Sequence, residues 1–307
     1  MSKMTVEMEA RGSAADRMDH GPPRDDAVAG AADQRPALAR IRVSATRPMS
    51  PSPSCTWEGQ GYFREVFWMP SRGSRLSASL YAVPKPTLGL VILPPWGGLG
   101  RDGRLLLEWC HRLAAGVSKL GGCGLLVQWP GHEDSEGDAS ALTFDRMVEV
   151  ALDALASGRK RFPEITWSLG GIRLGGAVVA LAAAGAAAPT SLLVQPVLDP
   201  VGYFHEVERA ARRNRLLGDP HNPHPGWSVD EFEIPEGLRA PRVSTQVSRA
   251  LAALSAGTGV VRYATPSPGP LPPHVVDVVI EGAWWWPPGG DHRILRDKAL
   301  RFLGSRR

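Results

Sequence analysis

The hydrophobic positions of this chain change their period as the sequence proceeds. In Gly61–Met69 (GYFREVFWM) and Leu76–Pro84 (LSASLYAVP), apolar and polar residues alternate loosely. A period of two marks a strand with one buried face, and Pro70-Ser71-Arg72-Gly73-Ser74 between the runs supplies turn chemistry. The two runs predict an antiparallel hairpin. At Thr87–Leu93 (TLGLVIL) the polar positions vanish. A short apolar run of that kind is a strand covered on both faces. An amphipathic helix is expected over Leu105–Lys119, then a buried strand at Cys123–Trp129, a helix at Phe144–Gly158 and a strand at Ile165–Leu169. An alanine-rich helix at Leu174–Ala188 and a strand at Ser191–Val197 follow. Strands alternating with helices imply βαβ units, hence an α/β fold with a mainly parallel central sheet and helices on both faces.

After Pro200 the alternation stops. Helices are expected at Val201–Arg215 and Val243–Ser255, separated by a stretch rich in Pro, His and Asp. Residues 200–256 are therefore expected to form a small helical cap inserted into the sheet domain. Val260–Ala264 and Val275–Gly282 predict two short strands, and Arg293–Leu303 a closing helix. Residues 1–55 carry neither period and hold Gly-Pro-Pro and Pro-Ser-Pro-Ser fragments. They predict a disordered leader, with the folded domain at 56–307.

Composition narrows the class. At 43% hydrophobic and 21% charged residues, the chain is globular as a whole. Its net charge is +4, and the segment Asp291–Arg307, with six basic and two acidic residues, carries that whole excess. The near-neutral remainder excludes an extended nucleic-acid footprint. Cys55, Cys110 and Cys123 form no CxxC pair, so neither a metal site nor a disulfide framework is expected, which suits a cytoplasmic location. The apolar run Gly176–Ala188 is shorter than the about 20 residues a bilayer requires, so no membrane span is expected.

Three short stretches carry candidate chemistry. Pro94-Pro95-Trp96-Gly97-Gly98 directly follows a buried strand, where backbone N–H groups can point at a developing negative charge. Trp129-Pro130-Gly131-His132-Glu133-Asp134-Ser135-Glu136-Gly137 follows the next strand. Gly171-Ile172-Arg173-Leu174-Gly175 has the glycine spacing of a nucleophile elbow, G-x-S-x-G, in which a sharp strand-to-helix turn lifts its central side chain over the sheet.

This order of motifs, with a histidine after the last strand, resembles the α/β-hydrolase superfamily. The PPWGG turn, the GHEDSEG loop and Leu-Val-Gln-Pro-Val are most similar to the second type of exosortase-A-associated hydrolase, in the serine-aminopeptidase-like branch. The resemblance covers about residues 60–305. It implies a hydrolase fold with no cofactor, a small-molecule or acyl ligand under the cap, and a setting in exopolysaccharide or protein sorting. By position it implies His292 as the general base; the acid's usual place after Val260–Ala264 holds no carboxylate, and Asp199, where some members of the superfamily carry the acid, is the substitute. It implies backbone N–H groups at Trp96 and Leu174 as the oxyanion donors.

The departure lies at the centre of the elbow. Arg173 stands where the family carries its nucleophile. A guanidinium is always protonated and offers only donors, so it cannot attack a carbonyl. Ser168 falls inside a predicted strand, and Ser135 has the setting of a turn hydroxyl. Asp199, before Pro200, is equally well explained as a helix N-cap, and His292 as an ordinary helix-start residue. Trp284-Trp285-Trp286 puts large aromatics either near the site's rim or over the sheet's end. Two functional readings follow. One is a non-catalytic hydrolase homologue that binds an anionic ligand or protein partner at Arg173. The other is an active enzyme on ester, thioester or amide substrates in which His292 activates water.

Overall fold

The computed structural model describes residues 55–59, 61–96, 101–186, 191–217, 234–254, 256, 258–265, 271, 273–283 and 293–305. Among these, nine strands form one sheet: β1 (Cys55–Gly59), β2 (Tyr62–Ser71), β3 (Ser74–Ala82), β4 (Leu88–Leu93), β5 (Cys123–Val127), β6 (Thr166–Ile172), β7 (Ser191–Val194), β8 (Gly259–Thr265) and β9 (Val276–Ala283). Their order is β1-β2-β3-β5-β4-β6-β7-β8-β9. The strands from β1 to β5 in that order pair antiparallel, and those from β5 through β4 to β9 pair parallel. The helices are α1 (Arg101–Lys119), α2 (Phe144–Arg161), α3 (Leu174–Ala186), α4 (Pro200–Leu217), α5 (Arg242–Ala252) and α6 (Arg293–Gly304). The expected α/β architecture with its parallel sheet is present.

The apolar runs are continuous because each parallel strand feeds two cores. Val91 and Leu93 of β4, Leu125 and Val127 of β5, Leu193 of β7 and Val260 of β8 point into a core shared with α2, α3 and α5. Their alternates Leu90, Ile92, Leu126, Leu192, Val194 and Val261 point into a second core under α1 and α6. Helix α3 lies between α2, α5 and the sheet. Its alanines and valines are buried on more than one side, so small side chains let its axis approach the strands closely.

Three boundaries differ from the sequence expectation. The hairpin turn is only Arg72-Gly73, with φ of 46° and 82°. Two left-handed residues make the primed turn whose twist matches the flanking strands, so Pro70 and Ser71 stay in β2. Strand β1 occupies Cys55–Gly59, so the expected leader ending at residue 55 runs into a strand. This five-residue edge strand pairs only with β2 and is too short to show a period. Strand β6 runs on through Gly170 and Gly171, in register with Ile92 and Leu93. Gly170 there packs against Leu90 and Val91 of β4, Gly171 meets the backbone that starts α3, and the turn itself begins later. Residues 1–54 of the expected leader, and 218–233 within the expected cap, lie outside the described residues.

Candidate functional site

The site is built on the carboxyl ends of β4, β5, β6 and β7, where ligands meet parallel sheets of this kind. Strand β6 ends at Ile172 and α3 begins at Leu174, so the chain reverses at Arg173 alone. Its φ is 55°, a left-handed conformation that costs an L-residue about 1–2 kcal/mol. The surrounding backbone holds the turn in place. The Arg173 N–H donates to the Val194 carbonyl at 3.0 Å, and the Arg173 carbonyl accepts from the N–H groups of Gly176 at 2.9 Å and Val197 at 3.2 Å. The flanking glycines are required by proximity. A Cβ on Gly171 would lie 2.2 Å from the Gly175 carbonyl oxygen, and one on Gly175 would lie 2.5 Å from the Leu93 carbonyl oxygen.

Above the turn stands a group of aromatic side chains. The Arg173 guanidinium carbon lies 5.3 Å from the Tyr203 ring centre. Tyr203 meets Phe204 edge-on at 5.3 Å, and Phe204 meets Trp96 edge-on at 5.6 Å. His132, from the loop after β5, sits 6.4 Å from the Trp96 ring. Trp96, His132 and Phe204 are buried, while Arg173 and Tyr203 are half-buried. Burial pushes the His132 imidazole below its ordinary pKa, against a smaller opposing effect of its hydrogen bond with the Pro130 carbonyl. The indole N–H of Trp129 donates to the Pro94 carbonyl at 3.1 Å, joining the β5 and β4 loops.

The loop that carries His132 is pinned to the hairpin. Arg75 donates to the Glu136 carboxylate from its backbone N–H and its guanidinium. The Ser135 hydroxyl accepts from the Ser77 N–H at 2.9 Å. Ser135 thus ties this loop to β3, where a hydroxyl satisfying its own turn was expected. The Ser168 hydroxyl donates to the Gly89 carbonyl at 3.2 Å within the sheet and is buried there.

Trp96, Arg173 and Leu174 fall at the carboxyl edge. Leu174 is fully buried as the first residue of α3, where helix geometry gives its N–H no acceptor within the helix. Asp199 is exposed and caps α4: the Gly202 N–H donates to its carboxylate, as does the Ser244 hydroxyl of α5, which in turn accepts from the Val201 N–H at 3.3 Å. The Ser244 bond is the largest cause of its pKa falling below the ordinary carboxylate value. His292 and Trp284-Trp285-Trp286 lie outside the described residues. Tyr203 and Phe204 belong to the site although sequence reasoning did not single them out. Their signal was two adjacent aromatics one turn after Asp199-Pro200, in a helix otherwise marked by its arginines.

Among the described residues no group of three His, Cys, Asp or Glu side chains could hold a metal ion, and no helix is long and apolar enough to cross a membrane.

No protein-family model matches the chain, and no curated protein does. Solved structures do match. The alpha/beta hydrolase GrgF from Penicillium sp. sh18 aligns with a TM-score of 0.55 at 16% identity, over 79% of this chain and 98% of that one. A cold-adapted esterase from an Arctic intertidal metagenomic library aligns at 0.53 and 11% identity, over 84% and 99%. A predicted CIB-like hydrolase from Thermoplasma acidophilum aligns at 0.52 and 10% identity, over 80% and 100%. With the strand order and the turn at Arg173, these likenesses show that the chain has the α/β-hydrolase fold.

Proposed function

We propose that this chain is a hydrolase-fold protein without serine-hydrolase chemistry, and that it binds an anionic ligand or partner at the site where such enzymes hold their nucleophile. One observation carries the reading: Arg173 occupies the apex of the turn between β6 and α3, with φ of 55°. That geometry raises a side chain over the sheet edge, and the side chain raised is a permanent cation with no nucleophilic lone pair. A carboxylate or phosphate can take two parallel hydrogen bonds from a guanidinium. Trp96 and Phe204 would receive an attached apolar or acyl group, beneath a cap formed around α4 and α5. The resemblance noted above suggests an exopolysaccharide or exosortase-linked setting in the cytoplasm, with a small molecule or a protein as the occupant.

The second reading, hydrolysis by water activated at His292, draws on the retained turn. Leu174 still places an N–H at the start of α3, and oxyanion stabilisation survives the loss of a nucleophile. Covalent labelling with a fluorophosphonate probe and turnover of activated esters separate the readings. The binding reading expects no stoichiometric labelling and ester turnover near background. It also expects a protein whose thermal stability rises with acyl or aryl carboxylates and no longer does so in Arg173→Gln. Turnover that disappears in His292→Ala would establish the enzyme instead, and labelling that disappears in Ser135→Ala or Ser168→Ala would overturn the loss of serine chemistry.

A further inference from the structure

A second cluster of polar side chains lies at the opposite end of the strands. Tyr81 is on β3, opposite Gly124 near the start of β5, so it sits at the amino ends of the parallel strands. Across β2 its register partner is Arg64, whose guanidinium carbon lies 5.5 Å from the Tyr81 ring centre. The alternation of strand faces adds Ser79 on β3 and Tyr62 on β2 to the same face. From α1, His111 brings Nδ1 to 2.9 Å from the Tyr81 hydroxyl. The face opens outward: Tyr81 and Ser79 are each 6% exposed, whereas Arg64 and Tyr62, one strand further from α1, are half-buried.

The cluster holds donors in excess of acceptors. Among the described residues no carboxylate pairs with Arg64. Its terminal nitrogen reaches the Ser79 hydroxyl at 3.5 Å, and its Nε is buried with no hydrogen-bond partner. The nearby Glu108 is engaged by Arg112. Ser79 accepts from Arg64 and keeps its own proton to donate. The Tyr81–His111 pair carries an O–H and an N–H, of which one closes the mutual bond. In either tautomer the other remains as a donor, from the imidazole Nε2 or the phenol. Burial holds the His111 imidazole neutral, so the cluster's charge is that of Arg64 alone. A partly desolvated guanidinium with no counter-charge is costly, and an oxyanion with several acceptor lone pairs is the chemistry that relieves it.

We propose that Arg64, Ser79 and the Tyr81–His111 pair form an oxyanion-binding site between β2, β3 and α1, taking a small phosphate or carboxylate. This site is separate from Arg173, which stands at the far, carboxyl end of the sheet. The test titrates inorganic phosphate and, separately, acetate into the full chain at constant ionic strength, following thermal stability. The variants are Arg64→Gln, Arg64→Lys and Arg173→Gln. Saturable stabilisation by at least one anion is expected, weakened at least about tenfold in Arg64→Gln and partly retained in Arg64→Lys, and the share that depends on Arg64 is expected to persist in Arg173→Gln. The anion that binds more tightly names the source class. Loss of the effect in Arg173→Gln with Arg64→Gln unchanged would assign the anion to the elbow and overturn the proposal. No saturable effect of either anion would overturn it too. Should Arg64→Gln fold poorly, Tyr81→Phe serves in its place, with binding weakened several-fold expected and binding of unaltered strength counting against the site.

Discussion

The guanidinium of Arg173 faces the ring of Tyr203, its carbon 5.3 Å from the ring centre, and so the apex of the β6–α3 turn is joined to the first turn of α4. Tyr203 is itself fixed by its N–H, which donates to the Asp199 carbonyl at 3.0 Å. A cation over an aromatic face is worth about 0.5–2 kcal/mol, more as it is desolvated. A double-mutant cycle over Arg173→Gln and Tyr203→Leu, followed by urea denaturation, should return a coupling in that range. Coupling within error of zero would mean that the two side chains are merely adjacent.

Gly175 should not tolerate a methyl group. A Cβ there would lie 2.5 Å from the carbonyl oxygen of Leu93 and 2.6 Å from that of Pro94. Both are backbone atoms at the end of β4, so neither can rotate away, and α3 must shift on the sheet. Overpacking of this kind costs about 1–3 kcal/mol. Gly175→Ala should lower the urea midpoint accordingly and weaken any ligand bound at Arg173. A midpoint within error of the parent would show that the turn has slack.

Stability should fall on acidification, with His111 as one cause. Its pKa is lowered from 6.5 to about 4, first by burial and then by the neighbouring Arg64 cation, against a smaller opposing pull from Glu108. The unfolded chain therefore takes up a proton that the folded one refuses. The stability due to neutral His111 is intact above pH 6.5 and is lost progressively as pH falls towards about 4. The scale is about 3 kcal/mol. His132 acts in the same direction, its pKa being lowered by burial. His111→Gln should show a shallower fall between pH 6.5 and pH 4 than the parent when the urea midpoint is followed against pH. Parallel profiles would place the titration elsewhere.

Much of the fold was legible because each element announced itself by period. Val91 and Leu93 go to one core and Leu90 and Ile92 to the other, which is why the β4 run has no polar gap. The turn at Arg173 was legible from glycine spacing, since Gly171 and Gly175 answer to close contacts that exclude any side chain. What was illegible depended on partners distant in sequence. Strand β1 is defined only by its pairing with β2, and Tyr203 and Phe204 join the site only because α4 crosses to Trp96. Asp199 shows the limit most clearly. Its position fitted a catalytic acid or a helix cap equally well, and neither the Gly202 N–H that it caps nor the Ser244 hydroxyl of α5 that holds it could be read from position alone.

Substitution at Arg173 can separate the turn's strain from its function. Arg173 holds φ of 55°, where any residue with a Cβ is strained by about 1–2 kcal/mol and glycine is not. Arg173→Ala keeps that strain and loses the Tyr203 contact, so it should be destabilised. Arg173→Gly loses the same contact and relieves the strain, at a cost of about 0.4–1 kcal/mol from the greater freedom of the unfolded chain. Glycine should therefore be the more stable variant by about 0.5–1 kcal/mol, the reverse of the order expected at a helical or strand position. Binding at the elbow should be lost equally in both, because neither carries the guanidinium. Urea midpoints and carboxylate titrations on the two variants check both halves. Alanine proving more stable than glycine would show that the turn relaxes out of the left-handed region, and with it the physical reason for placing Arg173 at the apex would fail.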